Sequence, residues 1–384
     1  VSIYTGSAAN YTALLDALNA ALLEGHALSI AWGGAGNGVL SALRGKPSSV
    51  QETITVTWTS ATAFNVVGSV TGSMGSGTVG SQFSHARLSF TATAGGTPWA
   101  NGSTAQFVMT PPWTALRSSV GSEYIWRAPG DGGADQIFVG AKVFSNVSAD
   151  YYNWRLGGFT GYTAGAAFEA QPGAMTDPVV PLWNSAIPYW FMISGKRAIV
   201  VAKVSTVYEM AYMGFLDSYA SPGQWSYPLA VGGSMSWYSE PAASSANWRW
   251  SYAGNEHRGF PFGGPMNSGT NRDKDSPLRV RKPDGTWRGF SYSDTASVGT
   301  VWPYAFGMSD VRACLDGSYP VLPVSLAEDM GAAENPLGEL AGVVATTGFS
   351  NASENTITQG RASFLVSQNI HRTTKTDYAA FRLD

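Results

Sequence analysis

The stretch Glu52-Thr-Ile-Thr-Val-Thr-Trp58 sets Ile54, Val56 and Trp58 on one side of an extended chain and Thr53, Thr55 and Thr57 on the other. A period of two is the pattern of a strand with one face in a core and one toward water. β-Branched and aromatic residues favour that geometry because they pack well on a pleated surface. The device returns over residues 87–93, with Leu88, Phe90 and Ala92 on one face. Between the two, residues 70–80 are rich in Gly, Ser and Thr and read as a loop, and residues 97–101 read as a turn.

Toward the N-terminus the period changes. Over residues 11–24, Leu14, Leu15, Leu18, Ala21 and Leu22 recur every three or four positions, which predicts an amphipathic helix laid on a sheet. Asn10 is its expected N-cap and Gly25 its expected stop. Toward the C-terminus, Pro111, Pro112 and Trp113 mark a boundary, since proline cannot continue a central strand. Beyond it, strands are predicted at 135–144, 190–193, 198–207, 228–232, 338–347, 363–370 and 378–383, with Gly and Pro in almost every gap. No second long helical pattern follows. The expected fold is therefore mainly β: an antiparallel β-sandwich or irregular barrel with one amphipathic helix near the N-terminus. Residues 1–112 form the helix and a β-unit, a region suited to assembly or docking, and residues 113–384 form a large β-rich domain. Residues 254–281, rich in Gly, Asn, Arg and Pro, read as a long surface loop.

Composition narrows the function. Of the 384 residues, 44% are hydrophobic and only 13% charged, about half the usual charged share, so disorder is excluded and the surface must rest on Ser, Thr, Asn and Gly. Such a surface suits a protein packed against copies of itself or its neighbours. A net charge of −3 offers no clustered cations for a nucleic acid partner. Cys314, the single cysteine, excludes an internal disulfide and a cysteine-rich zinc site. The purely apolar runs are a few residues long, against about 20 for a membrane-spanning helix, so no span is expected. The start at Val1 does not read as a signal peptide.

Motifs for chemistry are sparse. No nucleophile elbow or zinc-protease pair occurs, and neither Lys46 nor Lys196 completes a P-loop. Gly75, Gly77 and Gly80 match a dinucleotide fingerprint, but the following residues alternate like a strand where that mechanism needs a helix. His26, His85, His257 and His371 lie far apart in sequence. Asn271, Asp273 and Asp275 have the alternate spacing of the first ligands of a calcium loop, without its turn glycine and distal glutamate. They are the candidate metal ligands. No catalytic residue and no cofactor are expected. Aromatic density is the stronger signal. Trp248, Trp250 and Tyr252, with Arg249 beside them, form a candidate contact patch, because rings with a polar edge serve interfaces and sugar platforms.

Several long strings carry a resemblance. Asp150-Tyr-Tyr-Asn-Trp-Arg-Leu156 continues into Gly157-Gly-Phe-Thr-Gly-Tyr162, followed by Pro181-Leu-Trp-Asn184 and Ile187-Pro-Tyr-Trp190. Then come Lys196-Arg-Ala-Ile-Val-Val-Ala-Lys-Val-Ser-Thr-Val-Tyr-Glu209, Tyr227-Pro-Leu229 and the pair Gly232 and Gly233. This block, residues 125–233, and more loosely the ending Tyr378-Ala-Ala-Phe-Arg-Leu-Asp384, resembles a family of tailed-bacteriophage virion proteins. The resemblance implies residence in the virion, in the tail or baseplate region, and it names no catalytic residue. Its implied partners are copies of the chain and other virion proteins, with a host-surface glycan or receptor as the finer expectation. The competing readings are a capsid-decorating or head-surface protein and a carbohydrate-binding or, less readily, carbohydrate-cleaving module.

Overall fold

The computed structural model describes residues 1–27, 30–46, 48–130, 135–175, 178–221, 223–236, 248–254, 257–262, 276–291, 299–304, 319–329, 334–372 and 374–383. The fold is mainly β, with several antiparallel sheets, one α-helix near the N-terminus and no closed barrel among the described residues. One short parallel pairing, Phe290 with Gly299, interrupts the antiparallel pattern.

A 14-stranded sheet is the backbone of the molecule. Its strands Ile187–Ile193, Arg197–Val204, Val207–Phe215 and Leu229–Gly232 present one face to a six-stranded sheet that includes Glu123–Ala128, Ile137–Asn146 and Tyr151–Phe159. Phe191, Val200, Ala211 and Met213 from the first sheet meet Trp126, Val139, Trp154 and Leu156 from the second in one apolar core. The other face of the long sheet is also covered. Ile199, Met210 and Tyr212 pack with Val324, Leu340, Leu365 and Phe381 from its own C-terminal strands, so the sheet folds over on itself. Strand Val207–Phe215 is consequently buried at all nine positions.

That double covering explains a missed boundary. Residues 198–207 read as one strand, but Val204 pairs with Val207 across a tight turn at Ser205 and Thr206, and the chain returns as Val207–Phe215. Strands buried on both faces lose polar alternation, so periodicity does not mark where they end.

The helix spans Tyr11–Leu22, and Asn10 Oδ1 accepts hydrogen bonds from Thr12 N at 3.1 Å and Ala13 N at 2.9 Å. A cap of this kind is worth about 1 kcal/mol. Leu14, Leu15, Leu18, Ala21 and Leu22 are buried in the core between the two large sheets. Although the helix is grouped with the first β-unit by sequence, its apolar face thus belongs to the core of the later strands.

Residues 26–110 build their own sandwich from a six-stranded and a three-stranded sheet. Ile54, Val56 and Trp58 point into its core together with Leu88, Phe90 and Ala92, as their alternation requires. Residues 70–80 correct the loop reading: Gly72–Thr78 is an edge strand paired with Ala63–Gly68. Backbone pairing overrides weak propensity there, and Gly77 is fitted to its place because a β-carbon would collide with the Phe64 ring. The glycine triplet therefore sits on a strand and its turn, with no helix for a pyrophosphate. The surface-loop reading of 254–281 is corrected at both ends. His257, Phe260 and Phe262 are buried, and Leu278–Arg281 is a strand of the long sheet.

Candidate functional site

On strand Val207–Phe215 the odd positions face the core between the large sheets, and Glu209 is the one charged residue among them. Its side chain has no exposed surface. A carboxylate in an apolar core is costly unless a partner neutralises it. His257, equally buried, supplies that partner, with Nε2 2.9 Å from Glu209 Oε1. The opposite ring nitrogen, Nδ1, lies 2.7 Å from the Tyr252 carbonyl oxygen. A carbonyl only accepts, so Nδ1 must carry a proton, and a second proton is shared along the Nε2 to Oε1 contact. Glu209 Oε2 has no hydrogen-bond partner among the described residues.

Three neighbours complete the cluster from the turn after strand Ala362–Gln368. The His371 ring meets His257 edge-on at 5.5 Å, and its Nε2 lies 3.0 Å from the Trp250 carbonyl. Burial pushes His371 below the ordinary histidine pKa. Arg372 donates to the carbonyls of His257 at 2.7 Å and Gly254 at 3.1 Å. Asn369 Oδ1 accepts from Gly259 N at 2.9 Å. At Gly259 a β-carbon would meet the terminal methyl of the Met210 side chain, so a larger residue there requires Met210 to shift. Phe260 and Phe262 then enter the second core, against Tyr212 at 5.4 Å and Tyr304 at 4.7 Å.

The aromatic patch lies on the same segment, residues 248–254 and 257–262, a plug held in place by these contacts. Trp248 is 3% exposed and meets Phe144 edge-on at 5.5 Å beside Val179 and Met235, so it is packing and not an exposed platform. Arg249 donates from Nε to the Ala149 carbonyl at 3.0 Å. Trp250 is half-buried, edge-on to Trp183 at 5.6 Å, and Tyr252 is half-buried beside Trp248. Asn271, Asp273 and Asp275 lie outside the described residues, as does Cys314. Among the described residues no cluster of three or more His, Cys, Asp or Glu side chains has the geometry to hold a metal ion.

Sequence reasoning missed Glu209, His371, Arg372 and Asn369 as a unit. The readable signal was Glu209 itself, a lone acid at an inward position of an apolar strand, which demands a buried counterpart somewhere in the chain. What the arrangement does chemically is hold protons and carbonyls in fixed places: it ties a plug to two strands of the long sheet. Compared with known proteins, the chain matches no family model and no curated protein.

Proposed function

We propose that the chain is a structural subunit of a tailed-bacteriophage virion, seated in the tail or baseplate region, with host-surface contact as its second task. The observation that carries this reading is the fate of Glu209 and His257. Where an acid, two imidazoles and a guanidinium converge, the central pair has no surface for a substrate to reach, and its interactions hold strands together. Residues 125–233, which bear the resemblance to virion proteins, supply strands on both sides of the main core, so the resemblance falls on the part of the chain that is most deeply packed. Low charge suits repeated burial between subunits, because unpaired charge in an interface is costly. Val120 and Val147 stand exposed at adjacent hairpin tips on one end of the six-stranded sheet, where a neighbouring subunit would remove them from water.

A head-surface location would draw on the same features, and position on the particle separates the two. Imaging of purified particles with the subunit labelled, alongside size analysis of the recombinant chain, is the test. An ordered array at the tail or baseplate is the expected result. A stable monomer missing from purified virions overturns the proposal. The glycan reading at Trp248, Trp250 and Tyr252 loses its platform with the burial of Trp248.

A further inference from the structure

Between two buried anchors of the plug, Trp248 and His257, residues 250–254 form a half-exposed lip. Its alternate carbonyls all face nitrogen donors. The Trp250 oxygen lies 3.0 Å from His371 Nε2, the Tyr252 oxygen 2.7 Å from His257 Nδ1, and the Gly254 oxygen accepts from Arg372 at 3.1 Å. Two of those donors, His371 and Arg372, follow Ile370, which is fully buried in the main core at a φ of 45°. A β-branched residue keeps that left-handed conformation only where its surroundings enforce it, so the turn is held in shape by the core beneath it and by the segment it grips.

Charge at this joint suits only the neutral form of His371. A carbonyl accepts, so Nε2 of His371 carries its proton and Nδ1 is where a second would go. Strand Val207–Phe215 brings Glu209 and the plug brings His257, but these two answer each other at 2.9 Å and are neutral as a pair. The turn brings the fixed charge of Arg372, and Arg249 and Arg258 are the other cations of the plug. Asp377, the acid beyond the turn, is engaged by Asn369 Nδ2 at 3.4 Å and by the Thr374 hydroxyl. A second proton on His371 thus sets a cation with its ring 5.5 Å from that of His257 and next to Arg372, where Glu209 is already committed. Burial holds the His371 pKa below its ordinary 6.5, and His257 and Arg372 act in the same direction against the pull of the Trp250 carbonyl and Glu209. A histidine that resists protonation while docked makes docking strongest above pH 6.5 and weaker as pH falls toward its docked value.

We propose that the lip is an acid-released latch: protonation of His371 frees residues 250–254 from the turn Asn369–Arg372, while Trp248 and the Glu209–His257 pair keep the rest of the plug seated. The lip is the part of the plug that can open alone, because its side chains are half-buried or exposed and its hold on the protein is largely those three carbonyls. Phe260 and Phe262, by contrast, are sunk in the second core and stay there. The inference goes beyond the particle assignment and is tested on the purified chain, so either stands or falls without the other.

The test is amide hydrogen exchange of the full chain at pH 7 and pH 5, corrected for the intrinsic effect of pH on exchange. The reporters are the amides of Tyr252 and His257, which donate to the carbonyls of Arg249 at 3.0 Å and Gly254 at 3.2 Å. Their protection is expected to fall about tenfold at pH 5, within a ceiling of about 25-fold for one group that titrates at 6.5 when released, while amides of strand Val207–Phe215 remain slower to exchange. His371→Gln still donates to the Trp250 carbonyl but takes no second proton, so its lip should keep the same protection at both pH values. A ring titration of His371 in the wild-type chain, followed by nuclear magnetic resonance, supplies a readout that needs no variant: its midpoint should lie below 6.5 and coincide with the loss of protection at the lip. Equal wild-type protection at the two pH values overturns the proposal. So does an undiminished acid response in His371→Gln, or, should that variant fail to fold, a His371 midpoint that differs from that of the lip.

Discussion

Strand Glu52–Trp58 of the first sandwich and strand Val207–Phe215 of the long sheet each bury a glutamate, and they neutralise it by different means. Glu52 is answered locally. Its Oε2 accepts from Val70 N at 3.1 Å and Thr71 N at 2.8 Å, and its Oε1 accepts from the Thr71 hydroxyl at 2.6 Å, with Arg87 at 4.0 Å. Burial raises its pKa, but the bonds from Thr71 and Val70 and the charge of Arg87 outweigh that and hold it below the usual glutamate value. Glu209 is answered by a side chain 48 residues away, on a segment whose own position depends on the pair. The first solution fixes a turn. The second fixes how the plug docks on the long sheet, so its loss should spread further.

The largest effect is expected from breaking the second pair. Glu209→Ala or His257→Ala strands one polar partner in the core and should cost about 3–5 kcal/mol, read as a fall in the denaturant midpoint. Proteolysis should then cut first within residues 248–262, because Arg372 and His371 hold that segment only while it is docked. Glu209→Leu with His257→Leu should recover much of the loss, since two apolar side chains need no pairing. If the single variants unfold at the wild-type midpoint, the pair is not what locks the plug.

A smaller loss is expected at the local site. Glu52→Gln keeps the shape but turns an amide N–H toward donors, at a cost of about 1–3 kcal/mol. The comparison predicts confinement: amides of residues 69–72 should exchange faster while those of the plug keep their protection. Equal loosening of both regions would show that the two glutamates belong to one cooperative unit.

Acid should act more gently. His26 is fully buried against Tyr4, and burial depresses its pKa from 6.5 to about 3. The unfolded chain therefore binds a proton that the folded chain refuses, and stability present above pH 6.5 declines as pH falls toward 3. The slope for this one group is at most about 1.4 kcal/mol per pH unit, with His371 adding in the same direction. Glu52 contributes lower down: its depressed pKa gives stability that is present above its unfolded value and lost as pH drops through the folded one. Denaturation midpoints at pH 7, 6 and 5 should fall stepwise, and His26→Leu should flatten the series if the variant folds. A wild-type midpoint constant across that range removes the argument.

How far the chain could be read from sequence follows from how each strand is covered. Glu52–Trp58 and the strand Leu88–Thr93 were legible because one face meets the core and the other meets water or polar neighbours. The strand Tyr151–Phe159 was not, because its nine residues mix aromatic, charged and glycine side chains and seven of them are buried, which erases the alternation of a half-buried strand. The edge strand Gly72–Thr78 was hidden for the opposite reason: only Met74 is buried, so pairing alone defines it. At the candidate site the patch residues drew notice as aromatics, but their exposure was a property of the fold, and Trp248 turned inward.

By itself, the order of residues determined the β class, the capped helix of Tyr11–Leu22 and the facing of Ile54, Val56 and Trp58, because alternation, capping and helical period act between residues a few positions apart. Tertiary structure alone decided that Glu209 would meet His257, that Arg372 would clamp Gly254, and that Arg361 would reach the indole of Trp32 and the carbonyl of Gly36. Those partners are chosen by which sheets cover one another, and a buried charge takes the counterpart that packing brings within hydrogen-bond range, however distant along the chain.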